Sequence, residues 1–174
     1  MAIEVIVNDT SCLIDLRKGD LLTTALLLPF RFIVALPLIT AELHSFDEND
    51  WSNLYKRGLH VVDLDAKQVE RAFTLKSLFP GLSAYDCFSL ALAESTENAV
   101  LLTGDQQLRA SAVALGVEVH GVLWVADEIE KAALLPFVEL ADALARLEAD
   151  PLVFLPTPEV RKRIERLRRL ARRG

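Results

Sequence analysis

Residues 3–16 read IEVIVNDTSCLIDL, a β-branched run that passes directly into polar residues and then into a helical pattern. Residues 3–7 have the apolar, β-branched character of a buried strand. Residues 8–11 (NDTS) are all of types that cap helix N-termini, so a helix is predicted to follow and to end near Gly19. The segment therefore predicts a strand that leads through an acid into a helix.

The same alternation recurs along the chain. Further strand patterns occupy residues 32–36, 59–64, 99–103 and 117–119. Helical patterns occupy residues 40–43, 66–79, 83–95 and 106–115, and three more pieces follow residue 122, broken at Pro136 and at 151–158. Strands separated by helices favour an α/β fold with a mainly parallel sheet. We expect a three-layer α/β sandwich with four to five strands and a helical C-terminal extension.

Composition excludes several other classes of protein. The chain has 174 residues, 52% hydrophobic and 25% charged, which excludes a disordered chain and a collagen-like repeat. Cys12 and Cys87 both lie in apolar surroundings, as expected for a reduced, cytoplasmic protein. The most apolar region, residues 21–41, is divided by Arg31 into stretches too short to span a membrane. We therefore expect no membrane association and, since no basic leader is evident, no signal peptide.

Acidic residues follow or flank the predicted strands. Asp9 follows the first strand, Asp105 follows the fourth, and Glu42 and Asp86 lie in the first turns of two helices. Each also has a structural explanation: Asp9 and Asp105 suit helix N-caps, and residues 83–86 match a capping box. Glu42 suits the positive end of a helix dipole. Because ligands bind at the carboxyl ends of parallel strands, the four acids could converge there, and Mg²⁺ or Mn²⁺ would relieve their repulsion.

Three short motifs resemble those of PIN-domain ribonucleases, such as the VapC toxins of toxin–antitoxin pairs. In chain order they are residues 7–16 (VNDTSCLIDL), 82–87 (LSAYDC) and 101–108 (LLTGDQQL). Their order and spacing match the family pattern, and the resemblance covers residues 3–125.

The resemblance implies a PIN-like fold, bound Mg²⁺ or Mn²⁺, and hydrolysis of RNA phosphodiester bonds. The residues that it implies are the metal-site carboxylates Asp9, Glu42, Asp86 and Asp105, and the supporting hydroxyls of Thr103 and of Thr10 or Ser11. It also implies a homodimer held inactive by a small antitoxin protein. Asp127 and Glu128 suit either a further acid near the site or a solvated helix start.

Two other functions stay open. The first is a catalytically inactive PIN-like module that binds RNA or protein, although the intact acids Asp9, Asp86 and Asp105 favour an enzyme. The second is an antitoxin-like or scaffolding partner, in which the C-terminal tail is the working element. We predict a nuclease domain over residues 1–150 and a basic helical tail over 151–174.

The tail differs in charge from the rest of the chain. Residues 159–174 carry eight basic and two acidic groups, whereas the first 158 residues carry 11 basic and 23 acidic groups, a net charge of −12. Val160, Ile164 and Leu167 recur at helical spacing among the basic residues. The tail therefore suits an RNA-contacting arm, a helix that docks on an acidic surface of the same or a partner chain, or a frayed terminus. No aromatic residue interleaves its basic residues, so the sequence does not favour base stacking by the tail.

Overall fold

The structure is a computed structural model that describes residues 3–8, 10–41 and 46–173. Five strands alternate with helices, in the α/β order that the sequence predicts. The strands are β1 (Ile3–Val7), β2 (Phe30–Ala35), β3 (Leu59–Val62), β4 (Ala99–Leu102) and β5 (Glu118–His120). The helices are α1 (Thr10–Lys18), α2 (Leu22–Ala25), α3 (Leu36–Ala41), α4 (Glu48–Lys56), α5 (Ala66–Leu78), α6 (Ala84–Ser95), α7 (Gln106–Ala114), α8 (Val122–Lys131), α9 (Phe137–Ala149) and α10 (Thr157–Ala171).

The five strands form one sheet in the order β3-β2-β1-β4-β5. Every neighbouring pair is parallel, so the predicted α/β architecture is confirmed. At the carboxyl end of the sheet, Val7 is in register with Val34 on one side and with Leu102 on the other. The residues that follow β1 and β4 therefore emerge side by side.

The central strands are buried on both faces. Val5, Ile6 and Val7 in β1 are all fully buried, as expected when helices cover both sides of a parallel sheet. Ile6 belongs to an apolar cluster that includes Leu75 of α5 and Leu90 of α6. This packing holds α6, whose first turn carries Asp86, against the sheet.

Three helices depart from the predicted pattern, and the first of them, the four-residue α2, was not predicted. The sequence pattern predicts Leu36 as the end of a strand, but Leu36 begins α3, because the fixed φ of Pro37 suits the first turn of a helix. Helix α4 was not predicted, since its buried face consists only of Trp51 and Leu54. A capping box between Asp47 and Asp50 defines its start.

The chain divides into two compact units. The first contains residues 1–12 and 29–121, and it holds the whole sheet. The second contains residues 13–28 and 122–174, and it is helical. The predicted division at residue 150 stays a prediction. Among the described helices, none is long and apolar enough to cross a membrane.

In the second unit, α10 packs on the chain's own helices α8 and α9. Val160, Ile164 and Leu167 are all buried, which accounts for the apolar stripe of the tail. Arg163 donates two hydrogen bonds to Asp127, at 2.8 and 2.7 Å, and Arg166 pairs in the same way with Glu130. The tail is therefore a docked helix on an acidic surface of the same chain.

Candidate active site at the ends of β1 and β4

Asn8 connects the end of β1 to α6. Its backbone N–H donates to the carbonyl of Leu102, at 3.1 Å, which continues the pairing of β1 with β4. Its side chain is buried, and Nδ2 donates to Oδ1 of Asp86 at 3.0 Å. Since an ionised carboxylate only accepts hydrogen bonds, the amide nitrogen must face Asp86. The amide oxygen of Asn8 is buried and accepts no hydrogen bond within the described part of the chain.

Asp86 is held from two sides. Its Oδ2 accepts a hydrogen bond from the backbone of Ser83, at 2.7 Å, and the Ser83 hydroxyl accepts one from the backbone of Asp86, at 3.1 Å. This is the capping box that residues 83–86 predict. Asn8 holds the other carboxylate oxygen. The carboxylate is thus oriented toward the end of β1 by its own helix and by a distant residue.

Thr103 and Asp105 follow β4. Thr103 is fully buried, and its Oγ1 accepts a hydrogen bond from the backbone of Asp105 at 3.1 Å. Asp105 is the N-cap of α7, because its Oδ1 accepts from the backbone of Leu108 at 2.6 Å. Its other oxygen accepts no hydrogen bond from any residue the structure describes, and the residue is exposed. Asp105 therefore caps a helix and still presents a carboxylate oxygen to solvent.

Contacts between the turns before α6 and α7 bring the second and third motifs together. Lys76 donates to the carbonyls of Pro80 and Leu82, at 2.8 and 2.5 Å, and so fixes the turn that precedes α6. A Cβ on Gly81 would lie 1.8 Å from the side-chain nitrogen of Gln107, in the first turn of α7. A side chain at position 81 would therefore force the exposed, flexible end of Gln107 to move.

Arg109 and Asn8 are site residues that the sequence analysis missed. The Arg109 guanidinium donates to the carbonyls of Thr103 and Val119, both at 3.2 Å, and so joins the ends of β4 and β5. Nothing in the sequence pattern marks Arg109. Asn8 had a signal, since it is a polar residue inside the first motif, directly before Asp9.

The cysteines have the structural role that the sequence predicts. Cys12 and Cys87 are both buried, and neither is in a disulfide. Burial raises the pKa of the Cys87 thiol, and the charge of neighbouring Asp86 raises it further. A raised pKa keeps the thiol neutral, so Cys87 is a small apolar group beside the site.

The predicted site residues divide into two sets. Asp86, Thr103 and Asp105 lie in one hydrogen-bonded region that Asn8 and the β1–β4 pairing connect. Asp9 and Glu42 lie outside the described residues. Within residues 3–8, 10–41 and 46–173, no three His, Cys, Asp or Glu side chains form a group that could hold a metal ion.

The further candidates from the sequence analysis are two acids, which form ion pairs, and two hydroxyl residues, which differ in burial. In the second unit, Asp127 pairs with Arg163 and Glu128 with Lys131. Thr10 is buried, whereas Ser11 is exposed.

The comparison with protein families agrees with this arrangement. A family model described as a PIN domain matches residues 5–169, which is nearly the whole chain. A search of curated proteins finds no match to the chain. The matched region contains the five-stranded parallel sheet together with Asn8, Asp86, Thr103 and Asp105. The chain therefore belongs to the PIN-domain family.

Proposed function

We propose that this protein is a metal-dependent endoribonuclease that hydrolyses RNA phosphodiester bonds. The observation that carries the proposal is the hydrogen bond from Asn8 to Asp86, across 78 positions of the sequence. It brings the second motif to the strand end where β1 and β4 place Thr103 and Asp105. Membership of the PIN-domain family supports a nuclease.

The donor atoms at this edge suit Mg²⁺ or Mn²⁺. Asp86 and Asp105 supply carboxylate oxygens, and Asn8 Oδ1 is a buried amide oxygen without a hydrogen-bond partner among the described residues. Hard divalent cations prefer such oxygen ligands. Asp86 and Asp105 would hold the cation, together with Asp9 of the first motif and Glu42, which the resemblance to the family implies. When bound, the cation supplies neutralisation of the charge that develops on the phosphate oxygens.

The chain's own residues orient these ligands. Asn8 and Ser83 fix both oxygens of Asp86, so its carboxylate is placed before any cation arrives. Thr103 fixes the backbone of Asp105, and Arg109 ties the loop to β5. Such preorganisation lowers the cost of forming the site, because the ligands need not be ordered during binding.

The biological role that we propose is that of the toxin in a toxin–antitoxin pair. Support comes from the likeness of residues 7–16, 82–87 and 101–108 to VapC-type motifs. The corresponding partners are a second copy of the chain and a small antitoxin protein. Expression in a bacterial host should then arrest growth, whereas expression of Asp105→Asn should not.

One alternative has support of its own. Asp86 and Asp105 both cap helices, and capping alone could explain their presence. The chain would then be a catalytically inactive PIN-like module that binds RNA or protein. Asp65 provides the matched control, because it caps α5 in the same way, with its Oδ1 accepting from Gln68 at 2.8 Å.

The deciding experiment compares RNA cleavage by the native protein, Asp105→Asn and Asp65→Asn, with Mg²⁺ or Mn²⁺ and with a chelator. Asparagine is a good N-cap, so both variants should fold, as thermal melting can verify. Asp105→Asn should lose at least about 10³ in rate, since a metal ligand stabilises the transition state by several kcal/mol. Asp65→Asn should cleave as the native protein does. Metal-independent cleavage, or equal rates in both variants, would contradict the proposal.

A further inference from the structure

The outward side of α10 carries basic side chains that form no ion pair with the described residues. Arg163 and Arg166 are engaged by Asp127 and Glu130. Four further basic side chains are exposed and form neither a hydrogen bond nor an ion pair with any described residue. They are Lys162, Arg169, Arg172 and Arg173. On a chain whose first 158 residues carry a net charge of −12, such a set of exposed cations forms a local positive patch that attracts anions.

Helical geometry places these cations in a row. Lys162 and Arg169 are seven residues apart, so they lie on the same side of α10, about 10.5 Å apart along its axis. Arg173, eleven residues after Lys162, continues this side at the end of the helix, and Arg172 flanks it, about 80° around the helix axis. Glu165, which is exposed, lies on the same side, three residues after Lys162 and four before Arg169, so the four cations outnumber one acid there. A row of this kind suits an extended chain of phosphates better than a single anion.

A cleft of about 570 Å³ lies beside this row, within the same unit. Its lining includes Lys162 and two aromatic side chains, Trp124 of α8 and Phe137 of α9. Phe137 is 40% exposed. The four acids of the cleft form ion pairs with three cations, and Lys162 is the fourth cation of the lining, whose formal charge is therefore zero. The pairs are Asp127 and Glu159 with Arg163, Glu130 with Arg166, and Glu128 with Lys131. The tertiary structure thus places aromatic rings beside a basic helix whose own sequence has none.

We propose that the row formed by Lys162, Arg169, Arg172 and Arg173, with the adjoining cleft, is a binding surface for single-stranded RNA. Phosphates contact the cations, and a base stacks on Phe137. The choice of RNA as the polyanion rests on the proposed endoribonuclease function. An acidic protein would satisfy the cations, but it would leave the exposed aromatic ring without a role.

The test measures binding of a labelled single-stranded RNA by full-length protein in chelator, which prevents metal-dependent cleavage. One variant combines Lys162→Gln, Arg169→Gln and Arg173→Gln. The matched control combines Lys56→Gln, Arg57→Gln and Lys67→Gln, which removes the same charge from exposed positions in the other unit. The α10 variant should bind at least about tenfold more weakly, and the slope of log affinity against log salt should fall by about 0.7 per lost phosphate contact. The control should bind as the native protein does.

A second variant separates stacking from charge. Phe137→Ala should weaken RNA binding about 5- to 150-fold, the range found for loss of one stacked base, while leaving binding of inorganic polyphosphate unchanged. Thermal melting confirms that each variant is folded. If Phe137→Ala has no effect and polyglutamate displaces the RNA as well as polyphosphate does, the surface recognises acidic protein and the proposal is wrong.

The outcomes also separate this inference from the proposed function. If the native protein cleaves RNA and both triple variants bind RNA equally, the proposed RNA-binding surface is wrong, and the proposed nuclease function is unaffected. If RNA binding depends on the α10 cations and on Phe137 but no divalent metal supports cleavage, the proposed nuclease function is wrong, and the proposed RNA-binding surface is confirmed. Failure of the native protein to bind RNA overturns the surface.

Discussion

The side-chain nitrogen of Asn8 lies 3.0 Å from Oδ1 of Asp86, and the amide oxygen of Asn8 remains buried without a partner among the described residues. The side-chain amide of Asn8 thus donates a hydrogen bond to a proposed metal ligand, while its oxygen lies at the same strand end and accepts none from the described residues. A buried amide with an unused acceptor is costly unless something else satisfies it. In the proposed enzyme, the bound cation or the substrate would do so.

We therefore expect Asn8→Ala to impair cleavage. Loss of a hydrogen bond to a charged group costs about 1.5–3 kcal/mol, which corresponds to a decrease of about 10- to 150-fold in kcat/KM, together with weaker Mn²⁺ binding. The matched control is Ser89→Ala, since Ser89 is also buried, and its one side-chain hydrogen bond among the described residues goes to the backbone carbonyl of Asn8, at 3.5 Å. Equal activity in the two variants would show that Asn8 does not position Asp86.

Thr103→Val tests the support of Asp105. The substitution conserves shape but removes the oxygen that accepts from the Asp105 backbone at 3.1 Å. The free energy of unfolding should fall by about 1 kcal/mol, and the cleavage rate should fall as the loop loses its restraint. Thr103→Ser keeps the hydroxyl and should restore the rate. Chemical denaturation and cleavage assays on both variants test the prediction. A Thr103→Ser variant with normal stability but a reduced cleavage rate would contradict it.

The ion pair between Arg71 of α5 and Glu94 of α6 predicts a pH dependence of stability. The two hydrogen bonds from the guanidinium, at 2.6 and 2.7 Å, lower the pKa of Glu94 below its ordinary value. A lowered pKa means that the stabilisation is present above the pKa of the unfolded chain and is lost as the pH falls through the lowered pKa.

Denaturation curves across the acidic range should show this loss. Glu94→Gln should flatten the acid limb of the stability curve. Glu70→Gln, at an exposed position of α5 without a side-chain partner among the described residues, should leave the acid limb unchanged. An unaltered limb in Glu94→Gln would exclude this pair as a source of the acid sensitivity.

Docking of α10 predicts that leucine-to-alanine substitutions at two positions will lower the free energy of unfolding by very different amounts. Leu167 is 1% exposed, whereas Leu152, just before the helix, is 73% exposed. Leu167→Ala should lower the free energy of unfolding by about 2–5 kcal/mol, because it removes buried methyl groups and leaves a cavity. Leu152→Ala should change it by no more than about 0.5 kcal/mol. Urea titrations compare the two, and similar midpoints would contradict a packed C-terminal helix.

Local interactions made much of the fold predictable from sequence. The short apolar runs at residues 3–7 and 99–103 correspond to β1 and β4, since buried strands have such a pattern. The capping box at Ser83 and the N-cap at Asp105 involve residues three positions apart, so their hydrogen bonds follow from spacing alone. Helix α4 escaped prediction, because two buried residues make too short an apolar stripe.

The site depended on contacts between distant segments. Asn8 and Asp86 are 78 positions apart, and only the packing of α6 on the sheet brings them within hydrogen-bond distance. Likewise, the amphipathic pattern of the tail predicts a helix with an apolar face, but it does not identify the surface that covers that face. In the tertiary structure, α10 packs against α9, and its Arg163 and Arg166 form ion pairs with Asp127 and Glu130 of α8. Sequence by itself determined most of the elements and the caps at Ser83 and Asp105, which arise from interactions within a few residues. The partners of Asp86 and of α10 were decided by the way the elements pack.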